Sequence, residues 1–278
     1  MRHSRGAWVM LILLACAGCP PFGRERAARG PAPTTRPAPV PPPVLFEQIA
    51  LGTSVGGSAL SMTILRGGPE SVLVIGGVHG NEQTSVDVAS GLLELLRAQP
   101  ELAGGKTIAI YPNANPDGYA RNSRFNANQI DVNRNFAAAN FKPAMQAGLR
   151  SGSAPNSEPE TRAIVRAIEV TQPSLLISIH STSRGRHCNN WDGPAQHVAE
   201  LMSKLNGYPP AATIGYPTPG SLGSYAGIDR QIPMITLELP RDAPGAQAWH
   251  ENRDALLAAI AAQANAPART TNASPSLD

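Results

Sequence analysis

Charge is scarce in this chain. Only 15% of its 278 residues are Asp, Glu, Lys or Arg, and 5% are aromatic. The formal net charge of +3 belongs to one end. Residues 1–40 hold six arginines against one glutamate, whereas the remainder holds 17 basic and 19 acidic side chains. The body is near neutral, which excludes the broad basic surface that nucleic-acid binding needs. Cysteine is scarcer still. Cys16 and Cys19 lie near the N-terminus and Cys188 is alone in the body, so no disulfide framework can form within one chain. An apolar run long enough for a permanent membrane helix is also missing. No internal repeat is evident. What remains is an ordinary globular composition, 42% hydrophobic, on a chain long enough for one catalytic domain with appendages.

The first residues read as an address. Arg2, His3 and Arg5 form a basic start, Ala7–Ala15 is a short apolar run, and Ala15-Cys16-Ala17-Gly18-Cys19 follows. This is a secretory pattern, and cysteine after small residues resembles the lipobox of bacterial lipoproteins. Either Cys16 or Cys19 could carry the lipid; an ordinary cleaved signal is the plainer alternative. Both predict export, and the lipobox reading adds an N-terminal lipid anchor, the one membrane contact expected, facing the periplasm or cell exterior. Residues 20–43 contain nine prolines in 24 positions and read as an extended spacer. The folded domain is expected over 44–266, and the Ala-, Pro-, Thr-, Ser- and Asn-rich residues 267–278 as a disordered tail.

Four short apolar runs with β-branched residues predict buried strands: Ser71–Gly76, Thr107–Tyr111, Ser174–Ile179 and Met234–Leu239. Helical patterns separate them. Val86, Ala89, Leu92, Leu93 and Leu96 share a face, as do Ile164, Val165 and Ile168. Ser157 is the expected N-cap of that second helix, with Glu160 three residues on. Trp249, Leu256, Leu257 and Ile260 predict a C-terminal helix. Alternating strands and helices imply an α/β domain with a largely parallel sheet, whose active site would gather at the carboxyl ends of strands.

Polar residues of the right kind stand there. His79 and Glu82 follow the first strand in Gly76-Gly77-Val78-His79-Gly80-Asn81-Glu82, and His180 follows the third. A catalytic zinc wants three protein ligands and one open position, which a His, Glu, His set provides. Taken singly, a His-x-x-Glu pair or a strand-end histidine is more often structural. Arg121 and Arg124 follow the turn Asn113-Ala114-Asn115-Pro116-Asp117-Gly118, and Asp131-Val132-Asn133-Arg134-Asn135-Phe136 comes next. An arginine between two asparagines suits a carboxylate end of a substrate, because its guanidinium forks onto both oxygens; a plain surface arginine is the alternative. Glu238 sits inside the apolar Thr236-Leu237-Glu238-Leu239-Pro240. A buried acid there either takes a proton near the metal or pairs with an arginine for structure.

Together His79-x-x-Glu82, Asn115-Pro116-Asp117-Gly118, Asn133-Arg134-Asn135, His180-Ser181 and Thr236-Leu237-Glu238-Leu239 resemble the zinc carboxypeptidase family in order and spacing over about 165 residues. The resemblance implies a mixed, mainly parallel eight-stranded sheet flanked by helices. It implies Zn2+ on His79, Glu82 and His180, Glu238 as general base and acid, and Asn133 and Arg134 as the clamp for a terminal carboxylate. Arg124 looks like the oxyanion-stabilising arginine, with Arg121 the alternative. Arg124–Phe136 and Tyr216–Ser224 are further similar to the murein peptide amidase branch, which cuts between γ-D-glutamate and diaminopimelate in cell-wall peptides. In that branch Tyr216, Ser221 and the surrounding segment would shape the substrate pocket. The digestive enzymes' substrate tyrosine has no certain counterpart, Tyr216 and Tyr225 being candidates, and their disulfide is absent. The expected substrate is a peptide or muropeptide. Carboxypeptidase action on ordinary peptides, an aspartoacylase-like deacylase and a non-catalytic wall-peptide-binding lipoprotein are the rival readings. Against the deacylases stand Asn115–Gly118, His180-Ser181 and Glu238. His187 is a loop neighbour of the site, and Cys188 either lines it or is structural.

Overall fold

A computed structural model describes residues 46–146, 149–183 and 185–262. The leader, its two cysteines, the spacer, the tail and both expected domain boundaries lie outside the described residues. In chain order the elements are β1 (Phe46–Thr53), β2 (Ala59–Leu65), β3 (Ser71–Ile75), α1 (Gln83–Ala98), β4 (Thr107–Tyr111), α2 (Pro116–Ala120), β5 (Ala144–Gln146) and β6 (Leu149–Gly152). There follow α3 (Pro159–Thr171), β7 (Leu175–Thr182), β8 (Cys188–Asp192), α4 (Gln196–Asn206), β9 (Pro210–Ala211), β10 (Met234–Pro240) and α5 (Gly245–Ala261).

Eight strands form one mixed sheet in the order β1-β2-β4-β3-β7-β10-β8-β9, and β5 pairs with β6 apart from it. The four predicted strands are β3, β4, β7 and β10. They are the contiguous centre of the sheet and run parallel to one another. Their unbroken apolar sequences follow from that position, since a central parallel strand is covered on both faces. Side chains alternate between the faces. Val72 and Val74 of β3, Ile177 and Ile179 of β7, and Ile235 and Leu237 of β10 pack with Val88, Leu92 and Leu96 of α1, Met202 of α4 and Leu256 of α5. Leu73, Leu176 and Met234 face the other way, onto Ile164 and Ile168 of α3 and onto Phe136. His180 alternates onto this second face, at the carboxyl end of the sheet.

Two local expectations are corrected. Val88 rather than Val86 carries the buried stripe of α1, with Ser85, Ala89, Leu92 and Leu96. Glu158, not Ser157, occupies the N-cap of α3, and no side chain caps that helix. Pro159 fixes the first turn. The two acids serve the loop before the helix instead. Asn126 Nδ2 donates to Glu158 Oε2 and Glu160 Oε2, at 2.8 Å each, and Val55 N–H donates to Glu160 Oε1 at 3.0 Å. Tertiary partners have thus taken a carboxylate that local pattern assigns to a capping box.

Candidate metal centre and active site

The turn after β3 is built by close backbone contact. Gly76 N–H donates to Tyr111 O at 2.9 Å and Ala114 N–H returns a bond to Gly76 O at 3.0 Å. Gly77 adopts φ +65°, open to glycine at little cost, and its N–H donates to Ser85 Oγ at 3.0 Å. A Cβ on Gly80 would overlap the backbone of Gly118 and Tyr119. The Asn115–Gly118 turn thereby presses against the loop that carries His79. Glu82 is the N-cap of α1 yet makes no capping bond. Its carboxylate points into the site.

There Glu82 joins two histidines. His79 Nδ1 lies 3.0 Å from Glu82 Oε1, His180 Nδ1 lies 2.9 Å from Glu82 Oε2, and Ser181 N–H donates to Oε2 at 3.1 Å. The Nδ1 atoms of His79 and His180 are 3.2 Å apart. Two ring nitrogens this close have no room for a proton each. Donors about 2.05 Å from a tetrahedral ion stand roughly 3.3 Å apart, so the set fits one small divalent ion. All three side chains are buried, and their donor atoms lie within 4.8 Å of one another. Burial opposes the charge of both partners, but mutual attraction outweighs it. The Glu82 carboxyl is held well below its ordinary value, and the carboxylates of Glu82 and Asp131 hold His79 above 6.5.

Asp131 braces this set. Its Oδ1 stands 3.0 Å from His79 Nε2, and its Oδ2 accepts from Arg124 Nε at 2.9 Å. A proton on Nε2 leaves Nδ1 with its lone pair toward Glu82 and His180, which is the tautomer a metal requires. The acid was visible in the sequence, but nothing in its spacing set it apart as a ring-orienting group. We expect Asp131→Asn to weaken divalent-ion affinity roughly 10- to 100-fold, as measured by competition with a chromogenic chelator. Unchanged affinity would remove Asp131 from this role.

A cavity of about 140 Å³ is lined by His79, Glu82 and His180, by Arg124, Asn133 and Arg134, and by Tyr216, Ser221 and Glu238. Glu238 is the Cα partner of His180 across the parallel β7–β10 pair. Its carboxyl is 9% exposed, and burial, with the nearby Glu82 charge, raises its pKa. Such a group is suited to exchanging protons nearer neutrality than a free glutamate. Arg134 is only 8% exposed, and its Nη1 donates to Asn133 O at 2.6 Å. No described carboxylate pairs with it within 4.0 Å. Asn133 Oδ1 accepts from Leu222 N–H at 2.8 Å, and Phe136 N–H donates to Gly220 O at 3.0 Å. These bonds tie the Asn133–Phe136 segment to the Gly220–Leu222 loop.

The other sequence candidates fall in different places. Arg121 is exposed at the end of α2 and does not line the cavity. Tyr216 lines it while half exposed. Ser221 also lines it, but its hydroxyl is engaged with Thr218 and Ser224 of its own loop. Tyr225 belongs to the core, with its ring 5.5 Å from that of Phe136 and Arg230 stacked over it. His187 packs against Tyr208 with the rings tilted by 59°, and with Cys188 it lines a neighbouring cavity. Cys188 pairs with Glu238 across the antiparallel β10–β8 edge, and burial, with that acid, pushes its thiol up to about 11. A thiol so protonated is inert at neutral pH. Arg241 was not anticipated. It lines the same cavity, with Nη2 3.0 Å from Ser181 O and 3.6 Å from Glu82 Oε1.

A His, Glu, His donor set at the carboxyl ends of central parallel strands, facing a buried glutamate of raised pKa, defines a metallohydrolase. Residues 42–205 match the zinc carboxypeptidase (peptidase M14) family over more than half of the chain, and the chain belongs to that family. It is 34% identical over 183 residues to murein peptide amidase A of Escherichia coli strain K12, across 62% of this chain and 72% of that protein. The crystal structure of the murein-tripeptide amidase MpaA from Escherichia coli O157 superposes with a TM-score of 0.64 at 27% identity, covering 80% of this chain and 93% of that one. Bovine thrombin-activatable fibrinolysis inhibitor, in complex with tick carboxypeptidase inhibitor, shares the fold. It gives a TM-score of 0.64 at 19% identity, over 78% of this chain and 88% of that one.

Proposed function

We propose that the chain hydrolyses the amide bond to a carboxylate-bearing residue in cell-wall peptides, between γ-D-glutamate and diaminopimelate. Similarity to murein peptide amidases supports the substrate class. The carrying observation is the buried guanidinium of Arg134, which pairs with no described carboxylate within 4.0 Å, its nearest acidic influence being the charge of Asp131, and which lines the cavity that holds the donor set and Glu238. A buried cation is stable only when paired, and a substrate carboxylate supplies the pair.

In this reading His79, Glu82 and His180 hold Zn2+, which when bound polarises the scissile carbonyl and acidifies water. Asn133 and Arg134 grip the carboxylate of the residue to be released, fixing the bond a set distance from the donor set. Glu238 takes the proton of the attacking water and delivers it to the departing amine nitrogen. Arg124, steadied by Asp131, donates to the carbonyl oxygen as negative charge develops there. The leader and spacer of residues 1–43 would carry the domain to the wall, and membrane fractionation of the full chain against one lacking 1–19 tests that placement.

The decisive experiment is mass spectrometry of purified muropeptides before and after incubation, with and without a chelator. Release of diaminopimelate that the chelator stops is the expected result. Hydrolysis of N-acetyl-aspartate instead would favour a deacylase, and metal binding without any hydrolysis would favour a binding protein. Arg134→Ala should raise KM on the order of 10- to 100-fold for substrates with a free carboxylate. Equal damage to amidated substrates would sink the clamp.

A further inference from the structure

The mouth of the cavity carries a guanidinium that the reaction above does not use. β10 runs from the floor of the cavity toward its mouth. Thr236 lies deeper on the face of the site, beside Asn190 of β8, and Glu238 stands level with His180. Arg241 follows immediately after the strand and lines the same cavity. Its backbone N–H donates to Thr182 O at 2.9 Å, and its Nη2 donates to Ser181 O at 3.0 Å. These two bonds hold the side chain beside the donor set, with Nη2 3.6 Å from Glu82 Oε1. Arg124 Nη1 lies 3.7 Å from the same oxygen.

Glu82 is already shared between His79 and His180, and it is the only carboxylate within 4.0 Å of Arg241 among the described residues. A guanidinium has five N–H donors, and Ser181 O takes one of them. The Arg241 side chain is 49% exposed, whereas Arg134 is buried. The two arginines therefore serve opposite ends of a bound substrate. A leaving residue held at Arg134 fills the enclosed part, and the acyl part must leave by the mouth, past Arg241. What stands there differs between substrates. In an ordinary peptide the chain continues from the scissile carbonyl through a neutral amide. In a γ-linked glutamate the scissile carbonyl belongs to the side chain, and the α-carboxylate is left free across a short aliphatic spacer. A forked cation at the mouth attracts the second and not the first.

We propose that Arg241 is a specificity-determining residue that receives the free α-carboxylate of a γ-linked glutamate on the acyl side of the bond to be cut. The substrate class is an acyl group with a second carboxylate across a short aliphatic spacer from the scissile carbonyl. The inference rests on the hydrolytic reading above for which bond is cut. It adds what separates a γ-glutamyl bond from an ordinary peptide bond.

The test uses two substrate pairs with the full-length zinc-loaded protein. One is the wall tripeptide L-alanyl-γ-D-glutamyl-diaminopimelate, against the same tripeptide with the glutamate α-carboxylate converted to a carboxamide. The other is glutaryl-alanine, whose acyl group keeps the distant carboxylate without the wall peptide, against its terminal carboxamide. The parent should prefer the carboxylate-bearing member by about 10-fold in kcat/KM, the low end for a charge-assisted hydrogen bond because water screens a half-exposed pair. Arg241→Gln should collapse that preference, with the loss falling on the carboxylate-bearing member. Equal loss on both members at full zinc occupancy, or no preference in the parent, overturns the proposal. Should that variant lose its zinc or fail to fold, Arg241→Lys keeps the charge without the fork and must reduce the preference; an unchanged preference there counts against Arg241. If the tripeptides are not cut but the glutaryl preference persists and Arg241→Gln abolishes it, the wall reading fails and Arg241 stands. If the tripeptides are cut without regard to the α-carboxylate, the reverse holds.

Discussion

Glu238→Gln should remove about 100- to 10,000-fold of turnover while the protein keeps its metal and its fold. Glutamine fills the same space, so the packing around β10 is preserved. What is lost is the capacity to accept a proton from water and release it to an amine. The fold itself gains from the exchange. Burial, with the Glu82 charge, raises the Glu238 pKa, so the native state binds this proton more tightly than the unfolded chain does. A group shifted upward in this sense lowers stability as pH rises through its folded value. At pH 7 the metal-free variant should therefore melt no lower than the metal-free parent. Turnover by steady-state kinetics, zinc by elemental analysis and melting by calorimetry separate the outcomes. Substantial residual turnover at full zinc occupancy would remove the base assignment.

His180→Ala should strip the metal and, with it, turnover by on the order of 10³-fold or more, since Lewis-acid assistance is worth several kcal/mol. The substitution leaves Glu82 Oε2 with the Ser181 N–H but without its imidazole partner. Two donors, His79 and Glu82, are too few for a tight zinc site. The parent's metal uptake should also release protons. Glu82 and Asp131 hold His79 above 6.5, so the ring must give up its proton before its nitrogen can bind a metal. Apparent zinc affinity should then fall as pH falls below neutrality. Calorimetric titration in buffers of different ionisation enthalpy measures the protons released. Stoichiometric zinc in active His180→Ala protein would end the three-donor assignment.

The parts legible in the sequence share a physical character. β3, β4, β7 and β10 are covered on both faces, so each reads as an unbroken apolar run. The flanking strands do not. β8 is Cys-Asn-Asn-Trp-Asp, with Asn190 and Asp192 lining the cavity and Asn189 bonded to Asn206 on the opposite face, and nothing in its composition marks a strand. β1 has mixed exposure along an edge. The donor residues were readable because the turn after β3 and the end of β7 place them at strand termini by sequence position alone. Arg241 and Asp192 were not, because their proximity depends on which strands neighbour β10. Glu160 shows the converse. Its spacing from Ser157 fits a helix cap, yet long-range partners in the Asn126 loop and at Val55 claim it.

The pairing of Glu238 with His180 and Cys188 has an evolutionary corollary. Adding or deleting one codon within this strand would rotate the acid to the side covered by α1, α4 and α5 and thrust Leu237 or Leu239 toward the donor set. No halfway phase exists between those outcomes, because a pleated ribbon has only two sides. Length variation is consequently barred here while remaining open to the connections. The chemistry of this chain can drift by substitution around a strand of fixed count, and not by re-spacing it.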